Sequence, residues 1–152
     1  MYTREQSSQI KQQFWTKFGK YMSPVLSAEG EKINWINYKT GIRNLSFQMD
    51  ASQDTAQLSI NIMHRDDGYA YRLFEQFELL QLSFEEELQE TWNWEKNRQS
   101  EHQQFVSSIS IQLSCNVYKE SDWPDIISFL KPRIIKLDKF WCDHKMIFEM
   151  II

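Results

Sequence analysis

Glycine and proline are scarce in this chain of 152 residues, with 4 Gly and 3 Pro. That scarcity excludes collagen-like and Gly/Pro-rich low-complexity classes. The glycines stand far apart, at 19, 30, 41 and 68, so no Gly-rich loop cradles a phosphate. No phosphate-loop Lys-Ser/Thr pattern, dinucleotide glycine motif or serine nucleophile elbow is present either. Cysteine is limited to Cys115 and Cys142, without metal-ligand spacing, and two thiols do not make a disulfide scaffold. Both read as reduced thiols of a cytoplasmic protein. No apolar run approaches the ~20 residues that span a bilayer, and residues 1–9 are too polar for a signal peptide, so no membrane partner is expected. Cations are not in excess: 17 Lys and Arg face 21 Asp and Glu, a net charge of −4, which rules out a global basic field for nucleic acid. His64, His102 and His144 are scattered. Cys142 and His144, two apart on a helix, point to different faces, so no metal site is expected.

Aromatics are what the chain has in quantity: 10 Phe, 6 Trp and 6 Tyr, ample for a packed core. Apolar spacing of Ile10, Phe14, Trp15, Phe18 and Tyr21 predicts a helix over about 4–22, ended by Ser23-Pro24. Three strand-like runs follow, at 33–38, 45–50 and 56–62, the last two with alternating polarity, which predicts an antiparallel meander. Asp66 or Asp67 is placed to cap a helix over about 68–90, striped by Phe74, Phe77, Phe84 and Leu88 and acidic elsewhere. Residues 91–95 read as a strand with Trp92 and Trp94 on one face, 96–104 as a loop or strand end. Residues 109–117 alternate most cleanly of all. Ser121-Asp122-Trp123-Pro124-Asp125 starts the last helix, which Pro132 is expected to kink into two. The expected fold is α/β (α+β): one domain over 1–152, order αβββαββα, with helices flanking a central mixed sheet.

Two blocks carry a resemblance. One is Ser27-Ala28-Glu29-Gly30-Glu31-Lys32-Ile33-Asn34-Trp35-Ile36-Asn37-Tyr38-Lys39-Thr40-Gly41. The other runs from Asp122-Trp123-Pro124-Asp125 through Pro132-Arg133 to Leu137-Asp138-Lys139-Phe140-Trp141. With the opening Phe14-Trp15 to Tyr21-Met22 segment, they resemble the bacterial family catalogued as domain of unknown function 4268. The resemblance implies a restriction-endonuclease-like fold, whose core is helix, three strands, helix, strand, and no established activity. Active proteins of that fold carry an Asp ending the second strand and an acid-x-Lys pair on the third, which together hold Mg²⁺ or Mn²⁺ and activate water.

Asp50 fits the first of those positions. The third strand does not comply: Gln57-x-Ser59, Leu58-x-Ile60, Ile60-x-Ile62 and Asn61-x-Met63 supply neither acid nor lysine. This weighs against an enzyme and against a cofactor. The leading expectation is a non-catalytic interaction or accessory domain on that scaffold, with a link to DNA processing by analogy of fold. Its open partner classes are a second copy of the chain and DNA. Lys32, Lys39 and Arg43 around the first hairpin, with Lys131 and Arg133 on the last helix, are the candidate nucleic-acid or partner contacts. The alternative is a divergent metal-dependent nuclease built on Asp50 with Glu5, Glu29 or Glu31.

Overall fold

The computed structural model describes residues 2–64, 68–99 and 105–151. Asp66 and Asp67, the expected helix caps, and residues 100–104 of the expected loop lie outside these. The order is α1 (Arg4–Met22), β1 (Leu45–Ala51), β2 (Thr55–Met63), α2 (Tyr69–Leu79), α3 (Gln81–Leu88), β3 (Asn93–Gln99), β4 (Phe105–Ser114) and α4 (Trp123–Glu149). A 3₁₀ turn, Glu120–Asp122, leads into α4. The fold is α+β.

The sheet is corrected from mixed to wholly antiparallel, in the order β1-β2-β4-β3. Its register sets Phe47 opposite Ile60 and Ile60 opposite Ile109. Strand alternation then sorts the sheet into two unlike faces. One holds Leu45, Phe47, Ala56, Leu58, Ile60, Ile62 and Ile109, all in the core. The other holds Ser46, Gln48, Gln57, Asn61, Ser108, Ser110 and Gln112, with Asn61 Nδ2 donating to Gln48 Oε1 at 2.8 Å. Val106 and Met63, paired on this second face, do not join the core cluster. The helices reach the first face through aromatics: Trp141 of α4 meets Phe47 at 5.5 Å between ring centroids, and Phe74 of α2 meets Trp94 at 6.0 Å.

The expected strand at 33–38 is instead part of a loop over 23–44, giving two strands, not three, before the middle helices. Its polar residues bind the backbone locally and so compete with a ladder. Asn34 Oδ1 accepts the Asn37 N–H at 3.1 Å, and Thr40 Oγ1 accepts from Ile42 N–H and donates to the Leu45 carbonyl. Trp35 is buried, and its indole N–H donates to the Val25 carbonyl at 3.0 Å, folding the loop on itself. Gly41 and Asn44, at φ 80° and 66°, then turn the chain into β1.

The helix predicted over 68–90 is two, divided at Leu80, and starts at Gly68 with φ 72°. The expected break at Pro132 does not occur: α4 runs through it. Proline removes the hydrogen bond to the Ser128 carbonyl, but Pro132 and Ser128 are both exposed, so water can satisfy that oxygen. β4 ends at Ser114, so Cys115 and Val117 fall beyond the strand; Val117 is still core.

Phe84 is fully buried and meets Trp92, Trp94 and Phe140 at 5.1, 5.8 and 5.2 Å, tying α3 to β3 and α4. Phe84→Ala is expected to cost about 3–5 kcal/mol in urea unfolding, whereas Gln112→Ala on the polar face stays within about 0.5 kcal/mol.

Candidate functional site

Asp138 sits on the apolar stripe of α4, one residue after Leu137 and three before Trp141, and is only 2% exposed. A carboxylate there needs partners. The loop over 23–44 supplies two of them. Ala28 N–H donates to Asp138 Oδ2 at 2.8 Å, and the Tyr38 hydroxyl donates to Oδ1 at 2.5 Å. The Cys142 thiol, one turn along α4, lies 3.6 Å from Asp138 Oδ1 and 3.7 Å from Glu29 Oε1. Trp141 closes the attachment by donating its indole N–H to the Thr40 carbonyl at 3.2 Å.

Between this loop and α4 lies a cleft of about 400 Å³, bordered by Glu29, Glu31, Tyr38, Lys39, Asp138 and Lys145 among others. It is the place where the two blocks carrying the family resemblance meet. A larger hollow, about 710 Å³, runs along α1, but every residue lining it belongs to that one helix, so it has no second wall.

Two groups of the cleft, the Tyr38 phenol and the Cys142 thiol, hold their protons tightly. Burial, then the hydrogen bond to Asp138, pushes the Tyr38 phenol far above its ordinary range. Burial, then the Asp138 and Glu29 carboxylates, pushes the Cys142 thiol up to about 12. A thiol at that value has a thiolate fraction on the order of 10⁻⁴ at pH 8, far below that of a free cysteine. Tyr38 is therefore a hydrogen-bond donor and Cys142 an unreactive thiol.

The residues predicted from sequence do not converge. Asp50 is exposed on the polar side of β1, opposite Gln57, away from the cleft. Glu5 is exposed in the first turn of α1, while Glu29 and Glu31 border the cleft. Among the described residues, no three His, Cys, Asp or Glu side chains stand together so as to hold a metal ion. Of the five basic candidates, Lys39 lines the cleft. Lys32 is exposed beside the end of α1, and Arg43 lies over the Tyr69 ring at 4.0 Å. Lys131 is half-buried on α4. Arg133 is committed: its guanidinium donates twice to Glu90, at 2.9 and 3.0 Å, and once to the Phe129 carbonyl at 2.9 Å. Of the histidines, His102 lies outside the described residues. His64 Nε2 is 2.6 Å from Ser107 Oγ, a nucleophile-like pair, yet Ser107 is fully buried and its oxygen also accepts the Asn97 N–H.

A family profile described as Domain of unknown function (DUF4268) matches residues 10–145. The chain belongs to the DUF4268 family. No curated protein and no solved structure matches this DUF4268 chain. No helix among the described residues of the DUF4268 chain is long and apolar enough to cross a membrane.

Removing the Asp138 carboxylate leaves the Ala28 N–H and the Tyr38 hydroxyl without their acceptor. Asp138→Ala is expected to lower stability by about 3 kcal/mol and to increase hydrogen exchange over 25–41. Alkaline pH should act in the same direction. Tyr38 and Cys142 hold protons more tightly in the folded state, so the unfolded chain loses them first. Their stabilisation is complete below pH ~9 and declines as pH rises toward ~12. Urea midpoints across pH 8–11 check this, and Tyr38→Phe should flatten the alkaline decline.

Proposed function

We propose that this domain is a non-catalytic interaction or accessory domain, on a scaffold whose kinship with restriction-endonuclease-like proteins rests on its sequence blocks. The observation that carries the reading is how the cleft uses its chemistry. Its buried carboxylate is occupied by three protein donors, and its phenol and thiol are held protonated. A tyrosine or cysteine acting as base or nucleophile works through its deprotonated form, which both groups disfavour near neutral pH. The groups instead fasten a loop to a helix.

The DNA link comes from fold analogy. A phosphate backbone is gripped by several cations along one track. Here Arg133 is spent on Glu90, Arg43 lies over Tyr69, and Lys39 shares its cleft with Glu29 and Glu31. The reading therefore favours a protein partner, through which the domain would serve a DNA-processing system.

Plasmid and short duplex DNA incubated with the protein and millimolar Mg²⁺ or Mn²⁺ should stay intact. Calorimetry should detect no uptake of either ion, and fluorescence anisotropy no duplex binding at about 50 mM salt. Cleavage that disappears in Asp50→Ala would instead establish the divergent nuclease.

A further inference from the structure

Large apolar side chains gather at one end of the helical layer. Leu79, Leu82, Met146 and Met150 are each 74% to 80% exposed, and Ile147 is 41% exposed. Met146 and Ile147 lie on the last turn of α4, and Met150, its helical C-cap, stands four and three residues on, so it falls beside both. Leu79 and Leu82 flank the α2–α3 junction. Ring contacts place that junction beside the end of α4. Phe77 meets Phe148 at 4.5 Å and Phe84 meets Phe140 at 5.2 Å, while Glu90 binds Arg133 farther up the helix, so α3 runs antiparallel to α4. Leu80 and Ile151 both pack against the core at this end.

Acids outnumber bases around these side chains: Lys145 precedes Met146 but borders the cleft, and Lys96 is paired with Glu78. After Arg72, α2 and α3 carry Glu75, Glu78, Glu85, Glu86 and Glu87 and no Lys or Arg. Glu149 adds a charge at the end of α4. Glu75, Glu86 and Glu149 are exposed and have no ion-pair partner among the described residues.

We infer that this apolar, acid-rimmed surface docks a basic amphipathic helix of a partner protein. An amphipathic helix offers an apolar stripe to Leu79, Leu82, Met146 and Met150, and methionine adapts to such stripes by rotating freely. The rim selects the sign of its flanks. Lys or Arg beside the stripe meets unpaired glutamates, and acids there are repelled. The same rim disfavours a second copy, because a two-fold contact sets each acidic edge against its own image. It also disfavours an anionic lipid surface.

This inference rests on the reading of the domain as an interaction module and names its surface and partner. The probe is a synthetic helical peptide of about 18 residues with leucines on one face and lysines on the other. Its affinity for the full chain is measured by fluorescence anisotropy, against a peptide with glutamate in place of each lysine. The Leu/Lys peptide should bind, and L79S/L82S should weaken it by at least about tenfold. Those positions are so exposed that the variant should keep the parent's melting temperature. Glu75→Gln with Glu86→Gln should weaken binding and reduce its salt dependence.

Absence of Leu/Lys binding, equal binding by L79S/L82S, or equal binding of the glutamate peptide overturns the inference. So does a parent dimer in light scattering that L79S/L82S converts to monomer, since the occupant is then a second copy. The interaction-module reading fails separately, on DNA cleavage: an intact substrate with no peptide binding removes only the docking surface.

Discussion

Trp141 is the side chain on which every layer of this domain converges. Its ring meets Phe47 of the sheet at 5.5 Å, Phe77 of α2 at 6.4 Å and Phe148 of its own helix at 5.1 Å. Its N–H reaches the Thr40 carbonyl of the loop. A two-layer α+β domain has one apolar sheet face to cover, and the cover must fit side chain to side chain. Here α4 is centred on that indole, and the loop that replaces an expected strand is secured to α4 through Thr40, Tyr38 and Ala28. Asp138 is tolerated one turn before Trp141's far neighbours because the loop brings it donors. The polar cleft therefore follows from the way the apolar core is closed.

The parts of the fold legible in the sequence are those governed by a single period. Alternation located β1, β2 and β4, and three-four spacing located α1, the middle helical region and α4. Where local side-chain chemistry competes with the period, the period does not decide the structure. Asn34 and Thr40 divert 33–38 from a ladder by binding nearby backbone. Pro132 looks like a helix breaker, but tertiary packing on both sides of it holds α4 together, with Leu130 and Ile134 in the core. The antiparallel direction of β1 and β2 is legible in their alternating runs and short connection, whereas that of β3 and β4 is not.

The candidate site was less legible than the fold. Tyr38, Cys142 and Asp138 were each visible, but they lie 100 and 4 residues apart, and spacing alone does not bring them together. One signal was available: an aspartate amid Ile134, Leu137, Phe140 and Trp141 is a charge on a buried stripe, and such a charge requires donors from elsewhere. The basic residues misled for the opposite reason. Arg133 belongs to a surface-like run of charges, yet its planar fork fits the Glu90 carboxylate, and that pairing is set by the packing of α3 on α4.

The attachment of the loop to α4 also bears on how the chain acquires its shape during synthesis. Ala28 and Asp138 are separated by 110 positions, and Thr40 and Trp141 by 101. Contacts so distant close large loops, and they cannot form until α4 has left the ribosome. Until then the apolar face of the β1–β2 hairpin lacks Trp141, which meets Phe47 in the finished fold. Before α4 is made, this sheet face has no Trp141 to close it, and apolar surface left open in that way is what chaperones bind. The Ser-, Gln- and Asn-rich opposite face needs no such cover, since its side chains are satisfied by water and by one another.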